Sequence, residues 1–66
     1  MTGPHLIRHL QVAINLTGLT RVPVDGVLGP ITTIALRRVQ RHHNLPVTGE
    51  PDRTTLRALG VEESPC

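Results

Sequence analysis

A chain of 66 residues that contains no Phe, Tyr or Trp has to build its whole interior from aliphatic side chains. An aromatic ring would otherwise supply the largest single burial. A chain this short hides only about 60% of the surface that its unfolded form exposes, so it supports one domain at most. The single cysteine is the last residue, Cys66, which excludes an internal disulfide and any cysteine-based metal cluster. The core must therefore be compact, aliphatic and held by noncovalent contacts alone, and we expect one domain over residues 1–66.

The apolar pattern is helical. Leu6, Ile7, Leu10, Ala13 and Ile14 recur at three- and four-residue intervals and predict an amphipathic helix from His5 to Leu16. Pro4 suits its first turn and Gly18 its left-handed stop. Two prolines and two glycines in residues 21–30 then exclude a regular helix, and Asp25-Gly26 signals a tight turn. Val22, Val24 and Leu28 are expected to fold this loop down onto the helices. A second helix is expected from Pro30 to His43, with Thr32 or Thr33 serving free amides at its start and Ile34, Ala35, Leu36 and Val39 on its buried side. Asn44 and the Leu45-Pro46 step end it. A further loop, 47–51, leads to Asp52 as the N-cap of a short third helix that carries Leu56, Ala58 and Leu59 and stops at Gly60. The domain's core is thus expected over residues 5–60, with 61–66 as a frayed tail. Met1 and a finished third helix fit a whole gene product.

The chain also echoes itself. Laying residues 24–36 over 47–59 aligns Val24 with Val47, Gly26 with Gly49, Thr32 with Thr55, Ala35 with Ala58 and Leu36 with Leu59. A glycine-turned loop followed by a helix occurs twice, and each copy is expected to bury the same small and large apolar pair.

These residues carry a resemblance. The opening segment Ile7-x-x-Leu10-Gln11-x-x-Ile14-Asn15-x-x-Gly18 is followed by Val24-Asp25-Gly26-x-x-Gly29-Pro30-x-Thr32-x-x-Ala35-Leu36-x-x-Val39-Gln40. Then come Leu45-Pro46-Val47-x-Gly49 and Thr55-x-x-Ala58-Leu59. In this order and spacing the chain resembles the peptidoglycan-binding domain that stands beside catalytic domains in bacterial wall hydrolases and phage endolysins, and the likeness covers residues 6–60. It implies an all-α fold, a small three-helix bundle with two ordered glycine- and proline-containing loops, and noncovalent attachment to the glycan or stem peptides of the wall. The chain departs from the family pattern where Val39 and Leu19 stand in place of aromatics, which removes a sugar-stacking platform, and where Glu50-Pro51-Asp52-Arg53 replaces a Gly-Pro pair.

Catalytic material is sparse. No serine or cysteine has a base beside it, and no pair of carboxylates is arranged for acid–base work, so the chain reads as a binding module and not an enzyme. Asp25 is expected to cap backbone amides within its turn, and Glu50 and Asp52 to suit the positive end of a helix dipole. His5 and His9, four apart, and His42-His43 could meet a metal, but solvent-exposed histidines are the simpler reading, so no metal and no cofactor is expected. For a wall ligand the candidate contacts are Asp25, Thr32, Gln40 and Arg41. For Gln40 an inward role, bracing a loop backbone, stands level with ligand contact.

Partners follow from charge and length. Seven basic residues, all arginine, against five acids leave a net charge of +2, too little to direct the chain to a polyanion. Arg37, Arg38 and Arg41 read as a solvated helix face, and nucleic acid is the weakest reading. No run is long and apolar enough for a signal sequence or a membrane span. We therefore expect a chain made soluble in the cytoplasm that acts at the cell wall or in a phage particle, with bacterial peptidoglycan as partner. The alternative is a structural protein that uses the same fold as a protein–protein packing unit, for example a virion component.

Overall fold

A computed structural model of the chain describes residues 4–61. Three helices run in order, α1 (Pro4–Thr17), α2 (Pro30–His42) and α3 (Arg53–Leu59), and no strand occurs among the described residues. The fold is all-α, a small three-helix bundle in which every helix packs on both others.

Each helix end has a local cause. Pro30 occupies the first turn of α2 behind Gly29, which provides no side-chain cap. At the start of α3, Asp52 accepts from the backbone N–H of Thr55 at 3.2 Å, as an N-cap should. Both α2 and α3 close on a left-handed residue. Asn44 has φ 58° and Gly60 φ 76°, and just beyond them Leu45 N–H donates to Gln40 O and Val61 N–H to Leu56 O, each at 2.8 Å. That is the Schellman closure, which absorbs carbonyls the helix leaves open and turns the following apolar side chain inward. Val61 accordingly enters the core at 2% exposure. It was expected to begin a frayed tail; the closure on Leu56 places it inside. Residues 62–66 of that tail lie outside the described residues.

The core consists of Leu6, Leu10 and Ile14 from α1, Ala35, Leu36 and Val39 from α2, Leu56 from α3, and Val22 and Val61 from the flanking segments. Ile7, Ala13, Leu19 and Leu59 pack against its edge. Four expectations are corrected here. Ile34 is 60% exposed, because Thr32, Ala35, Leu36, Val39 and Gln40 fill one side of α2 and a residue two places from both Thr32 and Leu36 must face the other side. Within the first loop only Val22 is buried, while Val24 and Leu28 stay exposed at 45% and 43%. Asn15 makes the difference, since its amide donates to Val22 O at 3.0 Å and accepts from Val22 N–H at 2.8 Å, pinning that one residue to α1. Ala58 is exposed and Leu59 only half-buried, so the two copies of the echo do not bury the same pair. A seven-residue α3 turns Thr55 and Leu56 inward and has no further turn to bury the rest. Finally, among the described residues neither Thr32 nor Thr33 caps a free amide at the start of α2; the Thr32 hydroxyl faces Gln11 and the first loop.

Core truncation should therefore be far more damaging than truncation on the outer face of α2. Leu10→Ala, at a fully buried position, is expected to cost roughly 2–5 kcal/mol, most or all of the margin of so small a domain. Ile34→Ala should change stability by less than about 0.5 kcal/mol. Urea titration followed by circular dichroism at 222 nm reads both.

Candidate functional site

Two buried glutamines organise the loops. Gln11, on the inner face of α1 and 0% exposed, directs its amide nitrogen at Asp25 Oδ1 (3.0 Å), Val27 O (3.1 Å) and Thr32 Oγ1 (3.0 Å). Its oxygen accepts from Gly26 N–H at 3.0 Å. Gln40, on the inner face of α2 and also 0% exposed, does the same for the second loop. Its nitrogen faces Thr48 Oγ1 (3.0 Å), Glu50 O (3.0 Å) and Thr55 Oγ1 (2.9 Å), and its oxygen accepts from Thr48 and Gly49 N–H, both at 2.9 Å. Each amide thus spends its donors and its acceptor on one loop, with three acceptors sharing two N–H groups.

The partners correspond one to one across the internal echo. Gly26 matches Gly49, Thr32 matches Thr55, and Val27 O matches Glu50 O. Asp25 and Thr48 differ in chemistry but serve alike. Asp25 Oδ1 accepts from Val27 N–H at 2.9 Å, and Thr48 Oγ1 accepts from Glu50 N–H at 3.1 Å, an Asx turn in one loop and its hydroxyl counterpart in the other. The Gly49 position favours glycine on two grounds: its φ is 76°, and a Cβ there would crowd Thr33 Cγ2 and Arg37 Nε at 3.0 Å. No buried side-chain nitrogen or oxygen among the described residues lacks a partner.

The four candidate contact residues fall into two sets. Asp25 and Thr32 both belong to the Gln11 network, whereas Gln40 centres the other network, with exposed Arg41 next to it in α2. Thr32 is 2% and Gln40 0% exposed, and their side-chain hydrogen bonds are made inside the molecule, to a neighbouring helix and to the loop it holds. Of the two roles open to Gln40, the structure shows the inward one. Asp25 and Arg41 are the pair that reach solvent. The Asp25 side chain also caps its own turn, as expected. Gln11 was not among the candidates, although the repeated pairs Leu10-Gln11 and Val39-Gln40, each ahead of a glycine turn, carried the signal.

A second feature was invisible in the sequence. A groove of about 430 Å³ opens at one end of the bundle, between Ala13, Leu16 and Thr17 of α1, Leu19 beyond it, His42 and His43 at the end of α2, and Ala58 and Leu59 of α3. The two imidazoles stand edge to face, with centroids 5.2 Å apart and planes at 87°. No cluster of three or more His, Cys, Asp or Glu with metal-binding proximity occurs among the described residues, and none of their helices is long and apolar enough to cross a membrane.

Comparison with known families matches residues 5–59 to the model described as "Putative peptidoglycan binding domain". The chain belongs to the peptidoglycan-binding domain family. The match begins at the α1 residues ahead of Gln11 and ends on α3, so it takes in both glutamine-braced loops. The same comparison with curated proteins finds two cyanobacterial relatives, each called "Putative OxPP cycle protein OpcA". That of Nostoc punctiforme is 42% identical over 52 residues, 79% of this chain, and that of Synechococcus elongatus is 39% identical over 49 residues, 74% of this chain. The matched segment is 11% of each relative's length, so the chain spans only a small part of the curated relatives it matches. No solved structure matches the chain significantly.

In this peptidoglycan-binding domain the loop braces make stability sensitive to both substitution and acid. Gln40→Met keeps the volume but leaves the Thr48 and Gly49 amides without their acceptor, and is expected to cost about 1–3 kcal/mol for each buried group left unpaired, measured as a fall in the urea midpoint. Asp25 and Asp52 are both held below the ordinary carboxylate value. For Asp25 the causes are the Val27 N–H and then the Gln11 amide, and for Asp52 the Thr55 hydroxyl and then the Thr55 N–H. Their stabilisation is full above the unfolded value of about 3.9 and is lost as pH falls through the lower folded values. The urea midpoint should therefore be level from about pH 7 to pH 5 and decline below about pH 4. In the double variant Asp25→Asn, Asp52→Asn that acid decline should be shallower.

Proposed function

We propose that the chain is a noncatalytic module that attaches to the peptidoglycan of the bacterial cell wall. The observation that carries this reading is the family match over residues 5–59, which includes both braced loops. Fold alone names no ligand, but the loops are held for a surface that stays in one shape: each is tied to a helix by a buried amide that has no further bonds to give. Asp25 and Arg41 are the polar groups offered to a ligand, while Thr32 and Gln40 support the loop backbones beneath. A rigid recognition surface loses little conformational entropy on binding.

The test is sedimentation with purified bacterial sacculi at low salt. The chain should pellet with the sacculi, and Arg41→Ala should pellet several-fold less while unfolding at the same urea midpoint. A chain that stays in the supernatant with every wall type tried would end the reading.

A protein–protein packing unit is the second reading. Two observations favour it: Val27, Ile31 and Ile34 stand 59%, 59% and 60% exposed, and in the OpcA-named relatives the matched segment is a tenth part of a far longer chain. Such a partner would bury more than about 1,000 Å² in total, and Ile31→Glu would abolish that association while leaving sacculus binding intact.

A further inference from the structure

The two braced loops share one more feature and differ in its consequence. Arg8 stands three residues ahead of Gln11, and Arg37 three residues ahead of Gln40, so each bracing helix also brings an arginine near the loop it holds. In the first loop that cation meets an acid of the chain. The Val27 N–H, then the Gln11 amide, hold Asp25 below the ordinary carboxylate value, and the charge of Arg8 adds to them. In the second loop the counterpart of Asp25 is Thr48, which is neutral.

Arg37 is also set in place. Gly49 is held from beneath by Gln40, whose oxygen accepts its N–H at 2.9 Å. The space where a Cβ would stand is taken by two side chains of α2: Arg37 Nε and Thr33 Cγ2 lie 3.0 Å from that point, and Arg37 Cγ 3.4 Å. Gly49 is buried, while Arg37 itself stays exposed. The arginine stem therefore lies along a fixed turn and leaves its charge to solvent. A guanidinium held this way has less conformational freedom to lose on meeting a ligand than one on a free side chain.

Arg41 stands four residues after Arg37, on the same side of α2, and is exposed too. Like charges at this spacing destabilise a helix slightly, and a shared anion would relieve that repulsion. The chain does not supply one among its described residues. α2 itself holds no acid. Asp25 serves the first loop, Asp52 accepts from Thr48, Thr54 and Thr55, and Glu50 joins the second network through its backbone.

We propose that Arg37 and Arg41 form a carboxylate-binding pair beside the second loop, and that the pair takes the free carboxylates of the wall's stem peptides. Guanidinium forks match a planar carboxylate with parallel hydrogen bonds, whereas the acetamido and hydroxyl groups of the glycan strand are neutral. The proposal rests on the wall-binding reading above. It keeps the Arg41 contact, leaves Asp25 to the first loop, and adds Arg37 and the ligand class.

The experiment titrates the isotopically labelled chain at low salt with L-Ala-γ-D-Glu-L-Lys-D-Ala-D-Ala, and separately with the same peptide whose two carboxylates are made carboxamides. Backbone amide shifts are followed by NMR, with sacculus pelleting measured in parallel. The acid peptide should give saturable shifts centred on Thr33, Arg37, Arg41 and Gly49, and the amidated peptide should bind about threefold or more weakly. Arg37→Gln and Arg41→Gln should each weaken the acid peptide by a similar factor. Arg38→Gln removes the same charge from the next position, about 100° round the helix, and should leave binding unchanged. Urea midpoints report whether each variant keeps its fold; Arg41→Gln, away from the atoms packed on Gly49, reads the site even where loss of the Arg37 stem loosens the loop. Equal binding of the two peptides would overturn the pair, and so would a loss at Arg38→Gln as large as at Arg37→Gln, since either means a diffuse positive field. Pelleting without peptide shifts would overturn the pair and leave wall binding standing. Acid-peptide shifts at these residues without pelleting would keep the pair and end the wall reading, and the absence of both would remove the two together.

Discussion

The fold depends on a buried primary amide reaching from a helix to the backbone of the loop that follows in space. Such an amide is costly inside a protein unless its N–H donors and its carbonyl oxygen find partners. Gln11 and Gln40 meet that condition only when each loop takes one particular path, because the acceptors that satisfy them are a turn side chain, a loop carbonyl and a helix hydroxyl at set positions. The cost of failing the condition makes the loop conformation specific. Long irregular segments, which ordinarily carry the conformational freedom of a small domain, are here fastened from the inside.

This fastening complements an interior that has little bulk. Nine aliphatic residues form the buried cluster, and no aromatic ring spans from one helix to another. Hydrophobic burial is nondirectional and would tolerate several ways of leaning three short helices together. The amide networks tie α1 to the start of α2 through Thr32, and α2 to the start of α3 through Thr55, so they set the order and the lean that burial leaves open. Asn15 adds a third tie of the same kind at Val22.

The same design separates what holds the molecule together from what it presents. The networks consume Thr32 and Gln40, Asp25 both braces its turn through Oδ1 and reaches solvent, and the outward side of α2 is left to arginines and isoleucines. The groove is at the far ends of the helices, bounded by residues with no part in either network. A binding module can vary such a surface at small cost to its stability, since substitutions outside the core and the braces change few contacts.

Much of this was legible in the residues. Apolar spacing placed the three helices to within a residue or two, proline and glycine placed their ends, and Asp52 announced its cap, because these are local effects of backbone geometry and side-chain periodicity. The internal echo and the order of motifs identified the family. The sequence was equally clear that a core must form without rings or disulfides. Contacts between segments distant in the chain were another matter. That Ile34 faces water while Val61 is buried, that Ala58 and Ala35 differ in burial, and that Gln11 turns inward to Gly26 were settled by which faces the helices turn to one another. The groove belongs wholly to this second kind: its walls come from the ends of three helices, and only their packing sets those ends side by side. Local preference acts along the chain, whereas burial and amide satisfaction act across it, so a single strand of residues specifies the elements but the assembled bundle decides the site.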